Sequence, residues 1–465
     1  MRSLLRDERF WQIALQVIVL VAVISAFSYL FTNLGQNLAR SGSRFGFNFL
    51  GNPAGFAMGE NLLGYQAQEA YSKIIQAGIV NSFRVIILGV LLATIVGIAA
   101  GVASFSNNWL VHKLSRAYVG LIRNIPLLLQ LIFWYSAVFL SAPREAEQIL
   151  FPSASNTLVI LSNKGLNLPG PNLPDEVWVG MTLLALSLLL IGVLWRCINN
   201  FRYRRFAAGI GGIMAMIGNA LLILFVLIFD AVLLFNPAVN NGLYFKGALV
   251  SLFTNYEGWL VLALIGCGIG SVLLWQTRTR VMVERGQDGK VFLGAIVALV
   301  VAALAIVILG FDWQTPTVSS RGGATGGMRI TMEYAAIVTG LTFYTGAFIA
   351  EIVRAGIQSV SRGQWEAARS LGLDNNKSMR LVVFPQALRV IIPPLNSEYA
   401  NLAKNSSLAF AIGYPDLYNM ANTTFNQTGR PIEVFLIIMA TYLVINLLIS
   451  INMNQLNAAV QFKER

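Results

Sequence analysis

Residues 396–407, NSEYANLAKNSS, place ionisable and amide side chains inside a run otherwise apolar enough to lie in lipid. On a helix, Glu398, Asn401 and Asn405 fall at i, i+3 and i+7 and share a face, with Lys404 about a third of a turn away. Such a face offers donors for a carboxylate and acceptors for an ammonium, the two requirements of a small zwitterion. Polar groups in hydrocarbon cost free energy unless they pair or meet water. The face therefore reads in one of two ways: as a substrate pathway, or as salt bridges from Glu398 and Lys404 to neighbouring helices. Pro393 and Pro394, just upstream, predict a helix break at mid-membrane depth. Arg123, Asn124 and Gln130 form a second polar group at the start of another apolar run, where Arg123 either snorkels to the interface or joins the pathway. Glu351 and Arg354, at i and i+3, read as an ion pair rather than a ligand site.

The sequence holds no constellation for covalent or hydrolytic chemistry. It lacks a G-x-x-x-x-G-K-[ST] loop to cradle phosphates, and its one GK dipeptide, Gly289-Lys290, has no upstream glycine and is followed by Val291. There is no Gly-x-Ser-x-Gly elbow and no His-Glu-x-x-His helix. The single histidine, His112, lies on a basic loop and is expected to be solvated, so no metal site is expected. Cys197 and Cys267 both fall at or inside apolar runs, which gives a disulfide no support. The chain is expected to be non-catalytic and to bind no cofactor itself.

These polar groups must be positioned by membrane helices. With 56% hydrophobic and 12% charged residues in 465, the chain is too apolar for a soluble globule. A hydrocarbon core about 30 Å thick needs roughly 20 apolar residues per crossing. Ten runs qualify, near 11–32, 79–104, 117–141, 177–195, 209–235, 258–275, 291–311, 331–353, 386–410 and 432–454. With the N-terminus inside, the inner segments hold more than twice as many lysines and arginines as the outer ones, so both termini are expected in the cytosol. That bias accounts for the net charge of +12, whose basic residues are dispersed over membrane-edge loops, and nucleic-acid binding is not expected. The basic start followed by about 20 apolar residues reads as an uncleaved anchor, because a signal peptide's apolar region usually has ~7–15. Outer segments 33–77, 142–176 and 236–257 are rich in Gly, Asn, Pro and Ser and favour turns over long helices. The pairs Gly97/Gly101 and Gly266/Gly270 permit close helix contact and are read as packing.

Residues 362–385 form a short charged loop between two apolar runs. Glu366, Ala367, Ala368, Arg369 and Leu371 are helix formers, and Gly372 supplies a terminator. The two alanines leave little bulk, so a partner surface can approach closely. Val382, Phe384 and Pro385 close the loop. This spacing resembles the EAA loop of the membrane subunits of bacterial ATP-binding cassette importers, in the wording of the polar-amino-acid (histidine/glutamine-type) permease family. The resemblance covers two blocks. The first runs from GIVNSFRVIILGVLLATIVGIAAGVASF at 78–105 through RNIPLLLQLIFW at 123–134, and the second runs from residue 335 to about 455. Arg123 and Pro126 match the family's Arg-x-x-Pro pattern, and Lys404 through Leu408 match its penultimate helix. Residues 142–330 read as an insertion carrying about four helices, similar to the long-insertion permease of general L-amino acid importers.

The resemblance implies an all-α membrane fold with a type I importer core: residues 1–77 as a first helix and outer segment, 78–141 and 331–465 as the two parts of the core. It further implies a bacterial inner-membrane location, a second permease subunit, two ATPase subunits that carry ATP and Mg, and a periplasmic amino-acid-binding protein. The implied role is a permease in an ATP-driven amino-acid importer, with Glu366, Ala367, Ala368, Leu371, Gly372 and Pro385 in the coupling loop. An ion-gradient-driven transporter or channel is the alternative. It predicts further intramembrane acids, and beyond Glu398, Glu333 and Glu351 the spans are nearly empty of them. A structural scaffold is the third, which the loop pattern argues against.

Overall fold

The computed structural model describes residues 8–40, 45–60, 63–153, 156–171, 254–285, 290–319 and 323–460. The expected spans near 177–195 and 209–235, together with Cys197, lie outside the described residues. Helix α1, Glu8–Arg40, belongs to a compact unit of its own, Met1–Phe49. Its apolar run, Leu15–Asn37, is long enough to cross a membrane.

The second unit, Leu50–Arg465, is organised around α2 (Tyr71–Ala103) and α7 (Met332–Gln358). These two helices make the most extensive pairing in the fold. Their contact depends on glycine. A Cβ at Gly97 would stand 2.5 Å from the Ile349 side chain, and one at Gly101 would stand 2.7 Å from Val353 and 2.9 Å from the Ala350 carbonyl oxygen. In lipid no water is released when apolar helices meet, so close backbone approach and dispersion must supply the attraction. Gly97 and Gly101 thus do the packing expected of them. The second pair differs: among the described residues a Cβ at Gly266 would meet nothing within 4 Å, and one at Gly270 would meet the Leu299 side chain at 3.1 Å.

Between them, α3 (Trp109–Arg123) and α4 (Leu127–Phe133, continued by a π-helical turn Trp134–Phe139) make a broken pair bent by 106°. The single straight span expected at 117–141 is replaced by this bend. Its cause is local. Pro126 has no N–H to continue the ladder, and Asn124 closes α3 by donating to the Gly120 carbonyl at 2.6 Å. Asn108 caps the start of α3, accepting from the Leu110 and Val111 amides.

The outer part of the insertion was expected to be turns, and it forms strands. β1 (Ile149–Ser153), β2 (Asn156–Ser162), β3 (Gly165–Leu168) and β8 (Met328–Ile330) make an antiparallel sheet in the order β1-β2-β3-β8, with Leu150 opposite Ile160 and Leu166 opposite Ile330. Two-stranded pairs join β4 (Gly170–Pro171) to β5 (Trp313–Gln314), and β6 (Thr317–Val318) to β7 (Ala324–Thr325). Leu, Val and Ile fill β2, and Ile160 is fully buried, so short strands win over the turn-rich composition of their flanks. The same sheet binds the start of the insertion to the residues just ahead of α7. Helices α5 (Tyr256–Arg285) and α6 (Lys290–Ala305) pair chiefly with each other, and α6 buries no residue.

After α7 come α8 (Arg362–Ser370), α9 (Asn375–Ser378), α10 (Phe384–Asn405), α11 (Leu417–Thr428) and α12 (Pro431–Val460). α10 packs on α7 and α12, and α11 lies against α2 and α12. Among the described residues, six helices are long and apolar enough to cross a membrane, or seven when the bent pair counts as one span. α10 is not one of these, because its open side is polar. The chain is a mostly helical, multi-pass membrane protein.

The glycine contact can be tested directly. Gly97→Leu should lower the thermal midpoint of the purified chain and its folded yield, since overpacking costs about 1–3 kcal/mol or more. Adding Ile349→Ala should restore part of the loss, whereas an unchanged midpoint for Gly97→Leu would remove the glycine contact from its central place.

Candidate functional site

α10 is amphipathic in the direction that matters. Ile391, Leu395, Tyr399 and Leu402 are buried against the bundle, while Pro394, Ser397, Asn401 and Lys404 form an exposed stripe at i, i+3, i+7 and i+10. Asn401 stands at its centre, with half-buried Glu398 and Asn405 on one flank and Lys404 on the other. Tyr399 anchors the opposite side through a 2.8 Å hydrogen bond to Thr94 Oγ1 of α2. No salt bridge between described residues includes Glu398 or Lys404. Arg123 is the charge that reaches Glu398 electrostatically.

The helix does not break at Pro393 and Pro394. It runs through them with both rings on the exposed side, and the irregularity comes later. There α10 tightens into a 3-10 turn, Ser406–Ile412, that ends at Gly413 with φ +76°. A prolyl pair removes two backbone bonds but need not interrupt a helix whose other face is held by packing.

Arg123, Asn124 and Gln130 meet at the α3–α4 bend in different roles. Gln130 is buried, and its amide donates to the Ile122 and Ile125 carbonyls at 2.9 Å each, satisfying acceptors that the bend frees. Arg123 stands 3.7 Å from Glu351 of α7 and lies over the Phe348 ring at 5.1 Å. Glu351 is also paired with Arg354, so the expected i,i+3 ion pair is present and extended by Arg123. These groups and Asn124 line a cavity of about 410 Å³ between α2, α3 and α7, to which α10 contributes no residue. The two polar groups of the sequence thus occupy separate places, linked by the field between Arg123 and Glu398. His112 is not simply solvated, since Nδ1 lies 2.7 Å from the Ser104 carbonyl oxygen and holds α3 to the end of α2. Among the described residues no cluster could hold a metal ion, and Cys267 is a free thiol.

The short helix of the 362–385 loop forms as α8 and is closed by Gly372 at φ +74°. The Gly372 amide donates to the Arg369 carbonyl at 2.9 Å and the Leu373 amide to the Ala368 carbonyl at 3.2 Å, the paired bonds of a Schellman ending. Ala367 and Ala368 do not form one smooth docking face: Ala368 is buried against the chain itself, while Ala367 and Glu366 point outward. Leu371 is 81% exposed beside them. Pro385 sits in the first turn of α10, entered through a π-helical turn, Met379–Val383.

Sequence reasoning missed a polar knot at the opposite end of the bundle. Glu60, in the segment before α2, pairs with Arg84 of α2 and accepts from Thr331 Oγ1 at 2.6 Å, just ahead of α7. Asn81 donates to the Glu60 and Pro415 carbonyls at 3.0 Å, and Arg84 lies 4.6 Å from the Tyr334 ring centre. Arg84 inside an apolar helix was the available signal, since a cation there calls for a partner. Glu60→Gln should strongly destabilise the folded protein, because a buried pair that loses one member costs about 3–5 kcal/mol. Glu60→Gln with Arg84→Met should recover much of that in a thermal-unfolding series, and equal midpoints for the wild type and Glu60→Gln would show that the knot holds nothing.

The sequence pattern of the family described as "binding-protein-dependent transport system inner membrane component" matches residues 89–461. The chain is 33% identical over 466 residues to the general L-amino acid transport system permease protein AapQ of Rhizobium johnstonii, covering 100% of this chain and 96% of that one. It is 32% identical over 477 residues to the glutamate/glutamine/aspartate/asparagine transport system permease protein BztB of Rhodobacter capsulatus, covering 99% and 96%. A solved structure described as an amino acid ABC transporter with histidines aligns over 84% of this chain and 95% of its own at 17% identity, with a TM-score of 0.40. By full-length similarity and by the family pattern, the chain belongs to the binding-protein-dependent transport system inner membrane components.

Proposed function

We propose that this chain is the permease subunit of an ATP-driven amino-acid importer. The observation that carries the reading is α8: a helix outside the bundle, ended by Gly372 and presenting Glu366, Ala367 and Leu371 outward, in a chain of this family. A partner ATPase would dock on α8 from the cytosol, and both termini would share that side. The full-length relatives are named for amino-acid transport, which supports amino acids as the cargo.

The α10 stripe supports the same reading by a physical argument. Asn401, Lys404 and Ser397 are exposed on a helix packed inside a membrane bundle, and polar groups there require water or another protein surface. A second permease subunit facing this stripe would enclose a wet pathway between them. Along it Lys404 and Asn401 would meet a carboxylate, and Glu398 an ammonium. In the cycle, closing of two ATPase subunits on ATP would draw the α8 helices together and open the other side to a periplasmic binding protein. ATP and Mg would be held by the ATPases. Hydrolysis would then reset the bundle and release the amino acid inward.

Two experiments on the reconstituted importer test this. Gly372→Val should abolish ATP-dependent amino-acid uptake without preventing membrane insertion, because a β-branched residue is strained at positive φ. Open space around Gly372 leaves conformation as the only obstacle, so Gly372→Asn should retain part of the activity. Normal uptake by the valine variant would refute α8 as the coupling helix. Asn401→Ala and Asn405→Ala should change uptake kinetics or amino-acid range with assembly intact, and wild-type behaviour in both would place the pathway elsewhere.

A further inference from the structure

α3 carries three faces. His112, Ser115 and Tyr118 hold it to the bundle: Ser115 Oγ donates to the Ala100 carbonyl and Tyr118 Oη to the Phe343 carbonyl, each at 2.6 Å. Leu110, Leu114 and Leu121 form an apolar stripe left open by the described residues; Leu114 is 61% and Leu121 63% exposed. Lys113, Arg116 and Arg123 form the third face at i, i+3 and i+10, all exposed and adjacent to the apolar stripe. Trp109, 71% exposed, begins the helix. A helix so divided suits the boundary between headgroups and acyl chains, with its basic side toward phosphate.

Arg116 and Arg123 of the basic face open on the 410 Å³ cavity, and the charge there does not balance. Arg116, Arg123 and Arg354 line it together with one carboxylate, Glu351. Glu351 is bonded to Arg354, stands 3.7 Å from Arg123, and feels the field of Arg116, so one lining carboxylate faces three guanidiniums, and Glu398 adds its field at Arg123 from outside the cavity. Surplus positive charge beside hydrocarbon needs a counter-charge. Ser104, Ser115 and Asn124 add hydroxyl and amide groups to the wall. From this geometry we propose that the cavity holds the phosphodiester of an anionic glycerophospholipid, whose acyl chains lie along Leu110, Leu114 and Leu121. Arginine forks fit phosphate oxygens, and basic pockets between membrane helices are suited to such headgroups. The apolar stripe favours a lipid over a free phosphate, since a soluble anion leaves Leu114 and Leu121 without a role. The proposal rests on the membrane placement of the bundle and uses neither ATP nor amino acid, so it stands or falls separately from import.

Native mass spectrometry of the purified importer complex, titrated with phosphatidylglycerol and with phosphatidylcholine, tests it. The wild type should retain phosphatidylglycerol in preference to phosphatidylcholine. Arg116→Gln should weaken that retention about fivefold, and Lys113→Gln with Arg116→Gln should weaken it further, from about 1 kcal/mol per basic residue near an anionic headgroup. Arg116 and Lys113 are exposed, so both variants should assemble and take up amino acid when phosphatidylglycerol is in excess. Equal retention of the two lipids by the wild type, or unchanged phosphatidylglycerol retention in the double variant, would overturn the proposal. Displacement of phosphatidylglycerol by millimolar glycerol 3-phosphate would overturn it too, assigning the cavity to a soluble phosphate.

Discussion

The direct backbone contact between α2 and α7 is the constraint on which the rest of the bundle depends. Gly97 and Gly101 remove the side chains that would collide with Ile349 and Val353 and hold the two helices apart. Once they touch, α3 can bond to both, through Ser115 to the Ala100 carbonyl and Tyr118 to the Phe343 carbonyl. Glu60 can span the other end, reaching Arg84 on α2 and Thr331 ahead of α7. The pair also fixes where Glu351 and Arg354 emerge, in about the last two turns before the chain leaves α7 for α8. Packing of small residues at one depth thus sets the position of charged groups at two others.

A second regularity is the division of polar side chains into those the chain satisfies itself and those it leaves open. Glu60 and the amide nitrogens of Asn81 and Gln130 are buried and bonded within the chain, by partners on several elements. Ser397, Asn401 and Lys404 are exposed in line on α10, and Lys113 and Arg116 are exposed in line on α3. In water such stripes would be unremarkable surface. In a membrane each one implies something outside the chain, and the chemistry of the two differs: amides with one cation on α10, cations beside leucines on α3. That difference points one stripe toward a wet protein pathway and the other toward lipid.

Much of this was legible in the sequence, for identifiable reasons. Long apolar runs gave α1, α2, α5, α6, α7 and α12 because crossing length is set by the bilayer. Gly372 announced the end of α8, since few other residues accept its dihedrals. The bend after Arg123 was not foreseen, although Pro126 and the amides of Asn124 and Gln130 were all in view, because apolar content alone does not distinguish one straight helix from two short ones. Pro393 and Pro394 misled in the opposite direction, as packing on Ile391 and Leu395 outweighed the local breaker. The sheet of β1, β2, β3 and β8 joins residues about 160 positions apart, and no local signal reports a pairing of that range. Glu60 escaped notice for the same reason, its partners lying at 84 and 331.

Everything proposed for transport runs through α8, as the contact through which a partner ATPase would drive this bundle. A photo-crosslinking amino acid placed at Leu371, which is 81% exposed and makes no part of the core, measures this most directly in intact cells. A covalent adduct between this chain and a P-loop ATPase is expected, formed under conditions where amino-acid uptake persists. Adducts only with lipid or with proteins on the outer side, in cells that still import, would contradict it.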